Sequence, residues 1–435
     1  MSANSARYGH ATAPAFETAT YAKVTWRLMP LLFLCYVASY LDRVNVGFAK
    51  LQMLNDLKFS ETVYGFGAGI FFVGYFLFEI PSNMILHRVG ARMWIARIMI
   101  TWAMVSGAMV FVTTPMTFYV MRFLLGVAEA GFFPGVILYL TYWYPSNRRG
   151  KITALFMTGV PLSGVIGGPL SGWILHNMPG VHGLAGWQWM FIVEAIPSMI
   201  LGIVIIVFLQ DRIRHAKWLT EEEKQLLEAQ VEAEASQKQE QSLRQMVANP
   251  KVWLMALIYF CFVMGLYGVG FWLPTIIKTT GVTDPFNIGL LTMIPYAISA
   301  VTMILVGRSA DLRRERRWHV AIPALLGSIG LILSTVYDHN TVLAMSALTL
   351  ATMGIMTVLP LFWSLPTAFL GGTAAAAGIA LINSFGNLAG FVSPYVVGWL
   401  KDLTQSTNTG MFVVAASLVL GALLTLTVPA RMVNK

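Results

Sequence analysis

Apolar and polar positions alternate along this chain on a long scale, as runs of about 20 or more apolar residues divided by short polar connections. Twelve runs have the length that a helix needs to cross a hydrocarbon core. They lie at about 28–47, 62–85, 93–113, 117–141, 152–175, 188–209, 252–277, 287–307, 319–337, 341–363, 373–398 and 410–430. Glycine and proline recur inside them, as membrane helices tolerate when neighbouring helices satisfy the freed backbone groups. Pro360 and Pro366 blur the exit of the tenth run.

The basic residues orient this map. With the N-terminus in the cytoplasm, the leading segment, the even-numbered connections and the C-terminus hold 23 of the 29 Lys and Arg residues. The other face holds Lys50, Lys58, Lys278 and Lys401, while Arg43 and Arg122 fall inside runs. So lopsided a distribution predicts both termini in the cytoplasm.

Composition narrows the class. The chain of 435 residues is 57% hydrophobic and 11% charged, less than half the charged share of a soluble domain. That excludes a soluble enzyme, a disordered protein and a nucleic-acid binder, and the net charge of +9 marks a membrane face rather than a polyanion partner. Cys35 and Cys261 both sit in apolar runs, and the seven histidines fall in loops or at run ends, so neither a disulfide framework nor a buried metal site is expected. Residues 1–27 are polar, lack the apolar core of a cleaved signal, and read as a cytoplasmic tail.

The one long connection, 210–251, divides the runs six and six. Thr220 to Glu223 has capping-box spacing, followed by a helix-forming stretch with eight acidic and seven basic residues across the connection, which reads as a solvated surface helix. The expected organisation is therefore a tail (1–27), a six-helix bundle (28–209), a cytoplasmic linker (210–251), a second six-helix bundle (252–430) and a C-terminal tail (431–435). A glycine stretch, Gly164, Gly168 and Gly172 in the fifth run, recurs as Gly386, Gly390 and Gly398 in the eleventh, and a basic turn recurs at nearly the same offset. Shared offsets near half the chain length point to duplicated halves with a site between them.

Ionisable residues at membrane depth cost at least about 2.5–3.5 kcal/mol each on insertion scales, so each is a functional candidate. Six lie in the first half: Asp42, Arg43, Glu79, Arg122, Glu129 and Glu194. Arg122 and Glu129 are seven residues apart, on one helix face and about 10 Å apart along its axis. Arg43 and Arg122 suit an organic carboxylate because the guanidinium fork binds both oxygens. Asp42 and Glu129 would carry protons, and the four are expected to converge on one cavity. Tyr40 and Tyr75 would line it, and Asn383 and Asn387 would reach it from the second half. Glu79 and Glu194 read as structural.

These residues carry a resemblance. Tyr40 to Asn45 (YLDRVN), Pro81-Ser82-Asn83 with Gly90-Ala91-Arg92, Arg122 to Gly135 (RFLLGVAEAGFFPG), Trp143 to Pro145 with Arg149-Gly150, Gly270 to Lys278 (GFWLPTIIK) and Asn383 to Asn387 (NSFGN) span almost the whole chain. The sequence resembles the major facilitator superfamily and, within it, the anion:cation symporter family. The resemblance implies an all-helical fold of twelve transmembrane helices in two bundles and proton-coupled import of organic anions, with Arg43 and Arg122 on the anion and Asp42 and Glu129 on the proton. The second-half stretches resemble bacterial carriers for tartrate, phthalate, hydroxyphenylacetate and nicotinate. Two positions depart from the pattern: His87 stands where the superfamily's loop motif has an acid, and Thr158 to Pro161 replaces a glutamine that sugar-acid carriers can use, which favours a smaller or aromatic acid.

The expected function is thus proton-driven symport of a small organic carboxylate by alternating access in the inner (plasma) membrane. Its partners would be the acid, protons and the lipid bilayer, with no nucleic acid, catalytic residue, metal or cofactor, and the chain would work as a monomer. The alternatives are an organic-anion uniporter or exchanger and a solute receptor without flux. A cationic-drug exporter would want a cavity free of arginines, and a membrane enzyme would want a convergent nucleophile or metal set that the sequence does not display.

Overall fold

The computed structural model describes residues 13–235, 249–368 and 372–434. Residues 1–12 of the expected tail, 236–248 of the expected linker, 369–371 and Lys435 lie outside the described residues. Among the described residues all regular structure is helical, and twelve helices are long and apolar enough to cross a membrane. In order they are Pro14–Leu57, Glu61–Val89, Ala91–Phe111, Pro115–Thr141, Arg148–Asn177, Gly186–Phe208, Pro250–Thr279, Pro285–Arg313, Arg317–Val336, Thr341–Thr367, Gly378–Thr404 and Asn408–Thr427, here the first to twelfth spans.

The start of the first span differs from the sequence expectation. Residues 13–27, read as tail, continue one helix, Ala13–Val44, because the polar segment has its own packing surface. Tyr21 and Val24 are buried, Tyr21 Oη donates to Gln230 Oε1 (2.8 Å), and Lys23 pairs with Glu223 (2.8 Å) on the linker helix Glu221–Ala235. That helix starts with a reciprocal cap, in which Glu223 N–H donates to Thr220 Oγ1 (3.2 Å) and Thr220 N–H to Glu223 Oε2 (2.8 Å). The linker also reaches the turn after the second span, where Arg92 N–H donates to Asp211 Oδ1 (2.8 Å). The Val89 end of the second span therefore lies at the linker face and its Glu61 end at the opposite face.

The two halves are clamped at that opposite face. A Cβ on Gly168 of the fifth span would sit 2.7 Å from Gly289 O of the eighth, and one on Gly172 2.5 Å from Pro285 O. In the same way a Cβ on Gly398 of the eleventh span would sit 2.4 Å from Glu61 O, and one on Gly65 of the second 2.3 Å from Pro394 O. Only residues without side chains let these backbones touch. The fifth and eleventh spans carry the glycine stretches that recur in the sequence; Gly168 and Gly172 pack against the eighth span and Gly390 and Gly398 against the second, while Gly386 packs on Tyr259 of its own half.

Ion pairs close the same end. Glu61 takes Lys50 Nζ on one carboxylate oxygen (2.7 Å) and Lys401 Nζ on the other (2.6 Å), and the backbone N–H groups of Glu61 and Thr62 donate to Asp402 (3.2 and 2.7 Å). Lys50 Nζ also lies 3.5 Å from the centroid of the Trp272 ring. His176 of the fifth span meets Asp284 beside the eighth (2.5 Å). The Asp284 carboxyl is held below the usual carboxylate range, chiefly by the Asn287 N–H, with the His176 ring adding to it against slight desolvation. A group depressed in the folded state contributes stability above its ordinary value and loses it as pH falls through the folded one, so the contribution of the Asp284 carboxylate is lost in acid.

The seam leads to a direct expectation. Gly168→Leu should wedge the fifth and eighth spans apart and expose the neighbouring Ser163, which is buried (1% exposed). A cysteine at Ser163 should then label with a membrane-impermeant maleimide severalfold faster in the Gly168→Leu background. Unchanged protection would show that the seam accommodates a side chain.

Candidate functional site

Between the clamped face and the linker face, the first and fourth spans bring a buried ion pair to the joint between the halves. Arg43 donates through Nη2 to Glu129 Oε1, and through Nη1 to Tyr267 Oη of the seventh span (2.9 Å). Ser39, one turn before Arg43 and on the same helix face, donates to the same Glu129 oxygen (2.7 Å). The rings of Tyr40, Phe71 and Tyr75 stand 5.6, 5.3 and 5.4 Å from the Arg43 guanidinium carbon, so the cation is held in an aromatic cage as well as by charge.

Local backbone geometry places Glu129. The helix Pro115–Glu129 stops there, Ala130 turns extended (ψ 129°), and Gly131 takes φ +87° before Phe132–Thr141 resumes the span. Gly131 is needed on two counts, since its φ is left-handed and a Cβ would lie 2.4 Å from Ser82 Oγ. One turn earlier a Cβ on Gly126 would lie 1.9 Å from Phe71 O, so the second and fourth spans touch through backbone and hold the Phe71 ring against the site.

The structure brings Arg43, Glu129, Tyr40 and Tyr75 together and separates the other two charged candidates from them. Arg122 is fully buried behind the pair, donating long bonds to the carbonyls of Gly67 (3.3 Å), Ala68 and Arg43 (both 3.4 Å), and its Nη1 has no protein hydrogen-bond partner. Its guanidinium carbon lies 5.2 Å from the Phe71 ring that also faces Arg43, so Arg122 approaches the pair without a hydrogen bond to Glu129 among the described residues. Asp42 faces away, accepting from Trp102 Nε1 (3.0 Å), Ser106 Oγ (3.0 Å) and Ser198 Oγ (2.5 Å) of the third and sixth spans. Adjacent helical residues diverge by about 100°, so Asp42 and Arg43 cannot serve one cavity from one regular helix.

The second-half candidates divide similarly. Asn383 is buried and donates to Glu79 Oε1 (3.1 Å), and its neighbour Ser384 donates to Glu79 Oε2 (3.2 Å), so the second and eleventh spans are tied by a carboxylate. Asn387 is half-buried at the end of the helix Gly372–Asn387. Beside the ion pair a cavity of about 20 Å³, room for one water, is lined by Tyr40, Asn45, Ser163, Ser171, Thr292 and Tyr296 among others. Tyr40 Oη and both amide atoms of Asn45 have no protein partner. The contacts that sequence reasoning passed over are Ser39, Phe71 and Tyr267. The signal was periodic, since Ser39 precedes Arg43 by four residues and Phe71, Tyr75 and Glu79 form a four-residue stripe.

The pair's energetics can be tested in solution. Removing one partner of a buried ion pair leaves an uncompensated charge, at a cost of about 3–5 kcal/mol. Arg43→Ala should therefore lower the melting temperature in detergent more than the double variant Arg43→Ala/Glu129→Ala. Strict additivity of the two single substitutions would show that the pair contributes no coupling.

Comparison with known proteins places this arrangement. Residues 32–394 match the family model of the Major Facilitator Superfamily. NicT of Pseudomonas putida, named as a metabolite transport protein, is 50% identical over 419 residues, 96% of each chain. A protein of Agrobacterium vitis named as a tartrate transporter is 51% identical over 412 residues, covering 94% of this chain and 91% of that one. Among solved structures, the D-xylose-proton symporter is similar in fold, with a TM-score of 0.75 over 94% of this chain and 99% of that chain at 17% identity. This multi-pass membrane protein is a transporter rather than an enzyme, and it belongs to the Major Facilitator Superfamily.

Proposed function

We propose that the chain is a proton-coupled symporter that takes up a small organic carboxylate by alternating access, with both termini cytoplasmic. The observation that carries this reading is the buried Arg43–Glu129 pair at the joint, with Tyr267 of the other half on the same guanidinium. A proton on Glu129 removes the charge that holds Arg43, the guanidinium then takes the substrate's carboxylate in the same geometry, and neutrality at depth is restored once proton and anion are both bound. Arg122, with an unpartnered Nη1 one layer behind, adds positive field for the anion. Asp42 keeps a proton-carrying role only as a remote group, acting on the site through the first span.

The relatives named as tartrate and metabolite transporters support a small polar substrate. With the linker in the cytoplasm, the clamped end faces outward.

Proteoliposomes with an imposed inward proton gradient and a panel of labelled mono- and dicarboxylates test the reading. Wild type should accumulate one or two acids, and a protonophore should abolish the accumulation. Glu129→Gln should lose accumulation yet retain part of the exchange of bound substrate, whereas Arg43→Lys should lose binding by at least tenfold, about 1.4 kcal/mol, because an ammonium cannot replace the fork. Gradient-independent equilibration by wild type, or full accumulation by Glu129→Gln, would overturn the coupling role.

A further inference from the structure

Glu79 lies on the stripe that leads from the ion pair toward the linker face, one turn beyond Tyr75 and two beyond Phe71, both of which flank Arg43. It is buried (3% exposed), and its two carboxylate oxygens accept one bond each from Asn383 and Ser384 of the other half. No Lys or Arg among the described residues forms a salt bridge with it. The groups that face it are Tyr75 on its own span, Arg43 on the first, Tyr259 on the seventh, and Asn383 and Ser384 on the eleventh.

We propose that Glu79 is a second proton-carrying carboxylate, which ties Asn383 and Ser384 of the second half to the first while ionised and frees them for the substrate's carboxylate when protonated. The chemistry of the partners supports this. An amide N–H and a hydroxyl are donors suited to a carboxylate, and in this state a carboxylate of the protein itself occupies them. Substrate and Glu79 are the same functional group competing for the same two donors. A protonated Glu79 retains only part of its accepting capacity and becomes a donor itself, so the tie between the second and eleventh spans loosens at the linker face while the glycine seam at the opposite face is untouched.

The ion pair and Glu79 communicate through Arg43. Once Glu129 is protonated, the uncompensated Arg43 guanidinium favours an ionised Glu79; when a substrate anion then takes Arg43, that positive field is neutralised and an ionised buried carboxylate without a salt bridge becomes more costly. Anion binding at Arg43 therefore promotes protonation of Glu79 and release of Asn383 and Ser384. The two acids titrate as a linked pair, which makes Glu79 a positioning residue for the second half rather than a direct contact of Arg43.

This inference rests on the proposed carboxylate symport, and its test separates the two. In the first arm, infrared difference spectra of the full-length protein between acid and alkaline pH are recorded without substrate. A protonated-carboxyl band present in wild type and absent in Glu79→Gln is expected, and a spectrum identical in the two proteins would overturn the proton-carrying role. In the second arm, the acid identified by the uptake panel is bound at pH 6 and pH 8. Glu79→Gln should flatten the pH dependence of its Kd and tighten binding at pH 8 at least threefold, whereas Asn383→Ala should weaken binding about tenfold at pH 6 and less at pH 8, where ionised Glu79 already occupies the amide. A Glu79→Gln protein with the wild-type pH profile would mark Glu79 as a static bolt. Should Glu79→Gln fail to fold, Ser384→Ala serves in its place, since removing one donor should shift the infrared midpoint and an unmoved midpoint would overturn the proposal. Absence of uptake by wild type defeats the symport reading and leaves the infrared arm intact.

Discussion

A guanidinium buried among apolar helices must be neutralised and hydrogen-bonded on the spot, and much of the geometry around Arg43 follows from that demand. Glu129 supplies the charge, Ser39 and Tyr267 complete the hydrogen bonds, and three rings take the flat faces. The fourth span breaks immediately after Glu129, and Gly131 and Gly126 allow the second span to approach through backbone. Without the break the chain beyond Glu129 would continue straight, and without the close approach the Phe71 ring would not reach the cation. The pair is therefore a structural centre as well as a chemical one, and a change of its charge acts on four spans together.

Contacts between the halves are of two kinds, and the difference is physical. At the face away from the linker the halves meet through glycine-lined backbone seams reinforced by Lys50, Glu61, Lys401 and Asp402. Toward the middle they meet through packed rings, such as Phe72 on Tyr267 (4.3 Å between centroids), and through single polar bonds, Arg43 to Tyr267 and Glu79 to Asn383 and Ser384. A close-packed seam releases as a unit, whereas isolated hydrogen bonds to charged groups exchange partners one at a time at about 1.5–3 kcal/mol each. That division suits a molecule whose two halves rock about a fixed site.

The candidate site was partly legible because depth and charge are linear properties of a sequence. Arg43 and Glu129 stood out as charges within apolar runs, and the structure pairs them. Arg122 stood out for the same reason, but its partners are backbone carbonyls, which carry no sequence signature. Asp42 shares its depth with Arg43, but depth does not give direction, and neighbours on a helix point about 100° apart. Ser39 is hidden because a serine in a membrane run is ordinary until a charge is found beside it, and Tyr267 is one of several rings that could line a cavity, with nothing local to single it out. Residues 13–27 are polar enough to read as tail, yet Tyr21 meets Gln230 of the linker helix and the Tyr144 ring, and Val24 is buried, which no local pattern announces.

The sequence by itself determined the class and the plan: twelve runs of spanning length, the basic bias between faces, and the glycine stretches recurring in the fifth and eleventh spans. These follow from the bilayer acting as solvent, which imposes length, polarity and charge placement residue by residue. The tertiary structure alone decided which charges meet. The direction of a side chain depends on where each helix breaks and which neighbour it packs against, and those are relations between segments far apart in the chain. Glu79 illustrates the point: in the sequence it precedes Pro81 near a span end and looks structural, and only the fold sets its carboxylate against Asn383 and Ser384, more than 300 residues away.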